Sequence, residues 1–201
     1  DSEQYRNLTI ANCTFIDVER PINIRNIRGC RIVNNTILRT DSSLDSSPSI
    51  YIIPKEVSAQ GIVITGNEIR DRTSTQSAAI YVGNTKGAVI SKNQIEGGET
   101  GIRLISASND TLISGNTIRN VDEHGIAGKF QMAYSRILDN SIVDDRSPPR
   151  LTNGIYHSMN NQSYPVFVSR NVIRGARNPI NLDDSSAKRG NSWIVSDNLI
   201  N

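Results

Sequence analysis

The sequence predicts an all-β solenoid of about eight coils, each made of three short strands and stacked in parallel around one apolar interior. Three observations carry this. An apolar-x-x-Asn-x-apolar phrase recurs eight times in 201 residues. A second phrase, apolar-x-apolar, lies between successive copies. Aromatic residues make up only 5% of the chain while Asn, Ser, Thr, Ile and Gly abound, which suits short strands and tight bends.

The Asn phrase comes first. It reads "IANCTF" (10–15, with Cys13 in the Asn place), "IVNNTI" (32–37), "ITGNEI" (64–69), "ISKNQI" (90–95), "ISGNTI" (113–118), "ILDNSI" (137–142), "VSRNVI" (168–173) and "VSDNLI" (195–200). The Asn places are 22, 32, 26, 23, 24, 31 and 27 residues apart, intervals too long for a heptad. An Asn at a tight bend tolerates left-handed backbone angles, and its amide both donates and accepts. Stacked copies predict an internal ladder of Asn35, Asn67, Asn93, Asn116, Asn140, Asn171 and Asn198, with ordinary exposed turn residues as the other reading. Cys13 replaces the first rung as a small side chain of a mostly buried type, and Cys30 falls at a different corner, so two free thiols are expected.

The second phrase supplies the remaining strand of each coil: "INI" (22–24), "IYI" (50–52), "IYV" (80–82), "IRL" (102–104), "IAG" (126–128), "IYH" (155–157) and "INL" (180–182). Its period of two turns the middle residue away from the core. His157 falls at an inward place and reads as structural.

A net charge of +2 gives no basic face for nucleic acid, and no run of 18 apolar residues spans a membrane.

These repeats resemble the right-handed parallel β-helix of the pectin-lyase-like superfamily over essentially the whole chain. The resemblance implies a single-stranded right-handed β-helix over residues 1–201. It names the apolar-x-apolar strand as the first of each coil and the two flanks of the Asn bend as the second and third. It also implies a setting where polysaccharide is met: extracellular, cell-surface, periplasmic or virion. The scaffold hosts lyases, epimerases, hydrolases, tail spikes and inert spacers, so activity has to be read from a site.

The bend carrying Asn never changes length. From each Asn place to the next first-strand Ile the count runs from 9 to 15, and from that Ile to the next copy from 10 to 15. All insertions therefore fall beside the first strand, including 39–49, 70–78 and 144–153 on one side and 54–60, 158–165 and 183–192 on the other. They are expected to wall a trough floored by the first-strand sheet, where the resembled family binds sugar chains.

The outward floor residues are Asn23, Tyr51, Tyr81, Arg103, Ala127, Tyr156 and Asn181. Tyr51, Tyr81 and Tyr156 offer flat faces for sugar rings, although tyrosine is also simply a good strand former. Arg103 suits a carboxylate or sulfate, with a solvated surface cation as the other reading. "DEHGIAGKF" (122–130) places Asp122, Glu123 and His124 at the bend entering a first strand. Proton abstraction beside a uronate carboxylate needs a base, a cation and an acid. His124 and Tyr156 are the candidate acid/base pair, Arg103 the neutralising cation, and Asp122 or Glu123 the group that orients His124. The substrate-binding set is Tyr51, Tyr81, Asn181 and Glu123. The Asp-x-His order resembles the Asp-Pro-His of β-helical mannuronan epimerases, with Glu123 in the Pro place and Gly125 where the family carries an acid. A His between carboxylates at a turn also reads as a plain polar corner.

A hydrolase needs facing carboxylates. Glu99 and "NLDD" (181–184) lie about four coils apart, roughly 14–19 Å, beyond the ~5–9.5 Å of glycosidase pairs. No cofactor is implied and no zinc spacing appears; Ca²⁺ at Asp144 and Asp145 or at Asp183 and Asp184 has no support beyond paired carboxylates. The chain enters its first coil near Leu8 and stops at "SDNLIN" without a capping element. A piece of a longer protein, or ends covered by a homo-oligomer partner, is therefore expected. Function narrows to three readings: binding with cleavage or epimerisation of an acidic polysaccharide, non-catalytic glycan binding as in a tail spike or surface adhesin, and a structural spacer.

Overall fold

The computed structural model describes residues 6–41, 44, 47–54, 60–72, 78–129, 132–158, 165–183 and 193–201. Their 23 strands form three parallel sheets. The first-strand sheet has seven strands: β3 (Ile22–Arg25), β6 (Ile50–Ile53), β9 (Ala78–Gly83), β12 (Thr100–Ile105), β15 (His124–Lys129), β18 (Asn153–Ser158) and β21 (Asn178–Asp183). The second strands, β1 (Leu8–Ala11) through β22 (Trp193–Ser196), form a sheet of eight, and so do the third strands, β2 (Thr14–Ile16) through β23 (Leu199–Ile200). The described residues thus complete seven three-strand coils and two strands of another, slightly short of the eight coils expected.

Register explains why isoleucine dominates. Ile10, Ile32, Ile64, Ile90, Ile113, Ile137 and Val168 align in the second sheet. Ile37, Ile69, Ile95, Ile118, Ile142 and Ile173 align in the third, and Ile22, Ile50, Ile80, Ile102, Ile126 and Ile155 in the first. All but Ile10 are buried in one continuous core. Each such side chain contributes roughly 1.5–3 kcal/mol, and the β-branched shape packs on its copy about 4.8 Å above. His157 lies in this interior, edge-on to Trp193 with ring centroids 4.8 Å apart.

The Asn ladder is present. Each rung from Asn35 to Asn171 donates Nδ2–H to the Oδ1 of the next, at 2.9–3.0 Å. Each also donates Nδ2–H to a second-strand carbonyl, Asn116 to that of Ile90 for example. Each rung's backbone N–H donates to the same Oδ1. Two details differ from expectation. The left-handed residue is the one before the rung: Asn12, Asn34, Gly66, Lys92, Gly115, Asp139, Arg170 and Asp197, with φ between 53° and 67°. That residue turns the chain so that the rung itself points inward. Cys13 is exposed; only its backbone N–H joins the ladder, donating to Asn35 Oδ1 at 3.0 Å. Both thiols are free, and burial pushes that of Cys30 up to about 12.

Most inserted segments expected to wall the trough, namely 54–60, 70–78, 158–165 and 183–192, fall largely outside the described residues, as does part of 39–49. The segment 144–153 is described. Asp144 holds it, accepting hydrogen bonds from Arg146 Nε at 2.8 Å and from the backbone N–H groups of Arg150 and Leu151 at 2.6 and 2.7 Å. Burial pushes the Asp144 carboxyl up, but these hydrogen bonds outweigh it and hold the group well below the usual carboxylate range.

Candidate functional site

The row of outward residues on the first-strand sheet runs in register: Asn23, Tyr51, Tyr81, Arg103, Ala127, Tyr156, Asn181. A second feature brings His124 to the same face. In β12, β15 and β18 the chain reads Gly-Ile with both residues inward, which returns the preceding Thr100, His124 and Asn153 to the outer face of the sheet, where neighbouring side chains cover them. The glycines are obligatory in this arrangement. A Cβ on Gly125 would lie 2.5 Å from Ile142 Cγ2 and 2.6 Å from the Gly154 carbonyl, and Gly101 and Gly154 are equally crowded. Gly125, read against the epimerase motif as a lost acid, is therefore a packing requirement.

Arg103 is the hub. Its Nη2 donates to Thr100 Oγ1 at 3.0 Å and lies 3.8 Å from Glu99 and 3.6 Å from Glu123. His124 is buried, with Nε2 3.5 Å from Glu123 Oε1 and Nδ1 3.1 Å from Asn153 Nδ2. Asn181 Nδ2 donates to Asn153 Oδ1 at 3.0 Å, which orients the Asn153 amide so that its N–H donates to His124. The imidazole proton then sits on Nε2, toward Glu123. Tyr156 stacks on His124, centroids 4.5 Å apart and planes 12° apart. The polar line Asn181, Asn153, His124, Glu123, Arg103 and Glu99 thus crosses four consecutive coils.

The charges are set by this packing. Burial lowers the His124 pKa and Arg103 adds to it, against the opposing pull of Glu123, so the ring is neutral at pH 7. Burial and the neighbouring Glu123 carboxylate raise Glu99 to about 7. Glu123 goes the other way, lowered first by its hydrogen bond with Glu99. Above Ala127 and Gly128, where the row lacks large side chains, lies a cavity of about 360 Å³ bordered by Tyr81, Arg103, Glu123, His124, Lys129 and Tyr156.

The remaining expected residues stand as follows. Tyr51 and Tyr81 stack on each other, centroids 5.2 Å apart and planes 17° apart, and Arg25 lies over Tyr51 at 5.4 Å. Each of the three tyrosines of the row therefore has at least one ring face already covered by a neighbouring side chain. Tyr51 borders a smaller cavity of about 180 Å³ with Asn23 and Arg25. Asp122 leaves the site and pairs with Arg146 at 2.6 Å, so of the two acids proposed to orient His124 only Glu123 lies against it. Asp145 pairs with Arg119, and Asp144 with Arg146. No cluster of three His, Cys, Asp or Glu suited to a metal occurs among the described residues, and Asp184 lies outside them.

Sequence reasoning missed Glu99 as a partner of Glu123, looking for its mate at residues 181–184, whose strand β21 lies three coil steps from β12. The signal was available: "ETGI" (99–102), "EHGI" (123–126) and "TNGI" (152–155) align in consecutive coils. The backbone confirms the column, Glu123 N–H donating to the Glu99 carbonyl and Asn153 N–H to that of Glu123, both at 2.8 Å. Asn153 was missed for the same reason.

No curated protein and no solved structure matches the chain. A family described as the right handed beta helix region matches residues 22–200, nearly the whole solenoid. With three parallel sheets, an internal Asn ladder and this match, the chain belongs to the right-handed β-helix family.

Proposed function

We propose that this β-helix binds an acidic polysaccharide along its first-strand sheet and cleaves or epimerises it by proton transfer in the cavity above Ala127. The observation that carries the reading is the gathering of Arg103, Glu123, His124 and Tyr156 around one cavity of about 360 Å³, the size class of small-ligand sites. A uronate carboxylate enters opposite Arg103, whose contacts to Glu99 and Glu123 at 3.8 and 3.6 Å are loose enough to be exchanged for a closer pair. The C–H bond beside that carboxylate breaks toward the His124–Glu123 edge. Its electron pair stays on the sugar as an enolate whose charge Arg103 balances. Tyr156 supplies a proton, either to the opposite face of the carbon, inverting it, or to the oxygen that leaves as a double bond forms. The setting is one where such polymers are met: outside the cell, at its surface, in a periplasm or on a virion.

The test is incubation with uronate and neutral polysaccharides, reading unsaturated products by ultraviolet absorbance and inverted residues by NMR. Changing His124 to Ala or Tyr156 to Phe is expected to lower turnover by about 10²–10⁴-fold while binding survives.

One observation favours a second reading, binding without catalysis. Both ring nitrogens of His124 already have neighbours, Asn153 and Glu123. In that case Tyr81→Ala weakens glycan affinity and His124→Ala is nearly silent. If no glycan binds and none is turned over, both readings fall.

A further inference from the structure

Glu99 has no part in the chemistry above, yet its position is unusual. It sits just ahead of β12, one coil from Glu123 in the same column, and its Oε2 is buried with no hydrogen-bond partner. Two carboxylates and one guanidinium in this space leave a surplus negative charge. A proton on Glu99 removes that surplus and converts the orphaned acceptor into a donor toward Glu123. The other charged or titratable groups acting on the pair are His124 and Asp122 from the coil of β15 and Arg103 from β12. His124 is neutral, and Asp122 is drawn off by Arg146.

The geometry also bears on where an abstracted proton goes. His124 Nδ1 accepts from the Asn153 amide, so the ring presents Nε2–H rather than a lone pair to Glu123. Of these two groups, only Glu123 carries an acceptor not already protonated.

We infer that Glu99 and Glu123 work as one unit holding a single exchangeable proton beside Arg103, with Glu123 the proton-transferring group of the cavity and Glu99 the positioning residue that holds its partner proton. This rests on the polysaccharide reading for its substrate, though not for the shared proton itself. In the forward step the sugar C–H bond breaks, the electron pair remains on the sugar, and the proton goes to Glu123; on product release the unit, then holding two protons, returns one to solvent and the Tyr156 phenolate takes one up. The elevated Glu99 carboxyl, about 7, agrees with a unit that exchanges protons near neutrality.

The experiment is a pH titration of the intact protein carrying ¹³C-labelled glutamate side-chain carboxyls, followed by NMR. The wild type is expected to show one glutamate step near pH 7, with Glu99→Gln and Glu123→Gln each abolishing it. A wild-type titration with every glutamate in the ordinary carboxylate range overturns the inference without needing any variant to fold. So does a neutral step that persists in both variants. On an active glycan, Glu99→Gln is expected to shift the pH limb of kcat and spare KM, and Glu99→Asp to restore part of it. An unchanged pH limb overturns the positioning role. A neutral step with no glycan turned over leaves the shared proton standing and removes the catalytic reading of the site; turnover without the step does the reverse.

Discussion

At the scale of single residues, the fold depends on a backbone turn and an amide acting together. The residue before each rung takes left-handed angles, which glycine and asparagine tolerate and most others resist. Lys92 and Arg170 occupy the same place at 54° and 55°, so the chain accepts strain there to keep the bend length constant. The rung that follows is saturated: Asn116 Nδ2 donates to Ile90 O and Asn140 Oδ1, and its own Oδ1 accepts from the backbone N–H and Nδ2 of Asn93. Asn116→Leu keeps a similar size but strands the Asn93 backbone N–H in the interior, while Asn93 Nδ2 keeps its bond to the Ile64 carbonyl. One buried unsatisfied donor sets the expected cost at about 1–3 kcal/mol. Urea unfolding measures it, and a midpoint unchanged from wild type would show that the ladder contributes no stability at this rung.

At the scale of one element, β15 shows how a strand is shaped to carry a site. Its Gly125-Ile126 step turns two consecutive residues inward, and this puts His124 rather than its neighbour against Tyr156. A methyl group at position 125 meets Ile142 Cγ2 and the Gly154 backbone oxygen, and the backbone of the next coil has no room to retreat. Gly125→Ala is therefore expected to destabilise by about 3 kcal/mol or more, at the upper end of overpacking effects, in chemical denaturation. The same variant is expected to break the His124–Tyr156 stack, visible as a change in the ring-current shifts of His124. A stable protein with those shifts intact would refute the packing account of this glycine. At the other end of the strand, Gly128 leaves space for Met132, whose sulfur would lie 2.0 Å from an added Cβ. Small residues at 125, 127 and 128 thus serve two purposes, close packing inside and an open cavity outside.

Across the whole molecule, each coil touches only its neighbours, so stability is unevenly distributed. The central coils bury every inward isoleucine between two neighbouring coils. In a nearest-neighbour solenoid the strands paired on both sides open last, and exposed bends open first. Hydrogen exchange is expected to show the slowest amides from β10 (Val89–Ser91) to β17 (Ser141–Val143) and faster ones in the exposed bend around Ser147. Uniform protection along the axis would mean that the coils unfold as one cooperative unit.

Much of this protein was legible from sequence because repetition makes local chemistry speak for global structure. A rung such as Asn93 recurs in the same surroundings in every coil, so the pattern alone identified the ladder, the parallel stacking and the outward row from Asn23 to Asn181. Period two was enough to put Tyr156 outside and His157 inside. The site followed a different rule. Its side chains come from positions where the repeat is broken or turned: the inward Gly-Ile step that redirects His124, the column that sets Glu99 against Glu123, and the choice of Arg146 rather than His124 as the partner of Asp122. None of these is a property of one segment. They depend on which residue lies one coil above or below and on how closely two backbones approach, and those distances exist only once the coils have stacked.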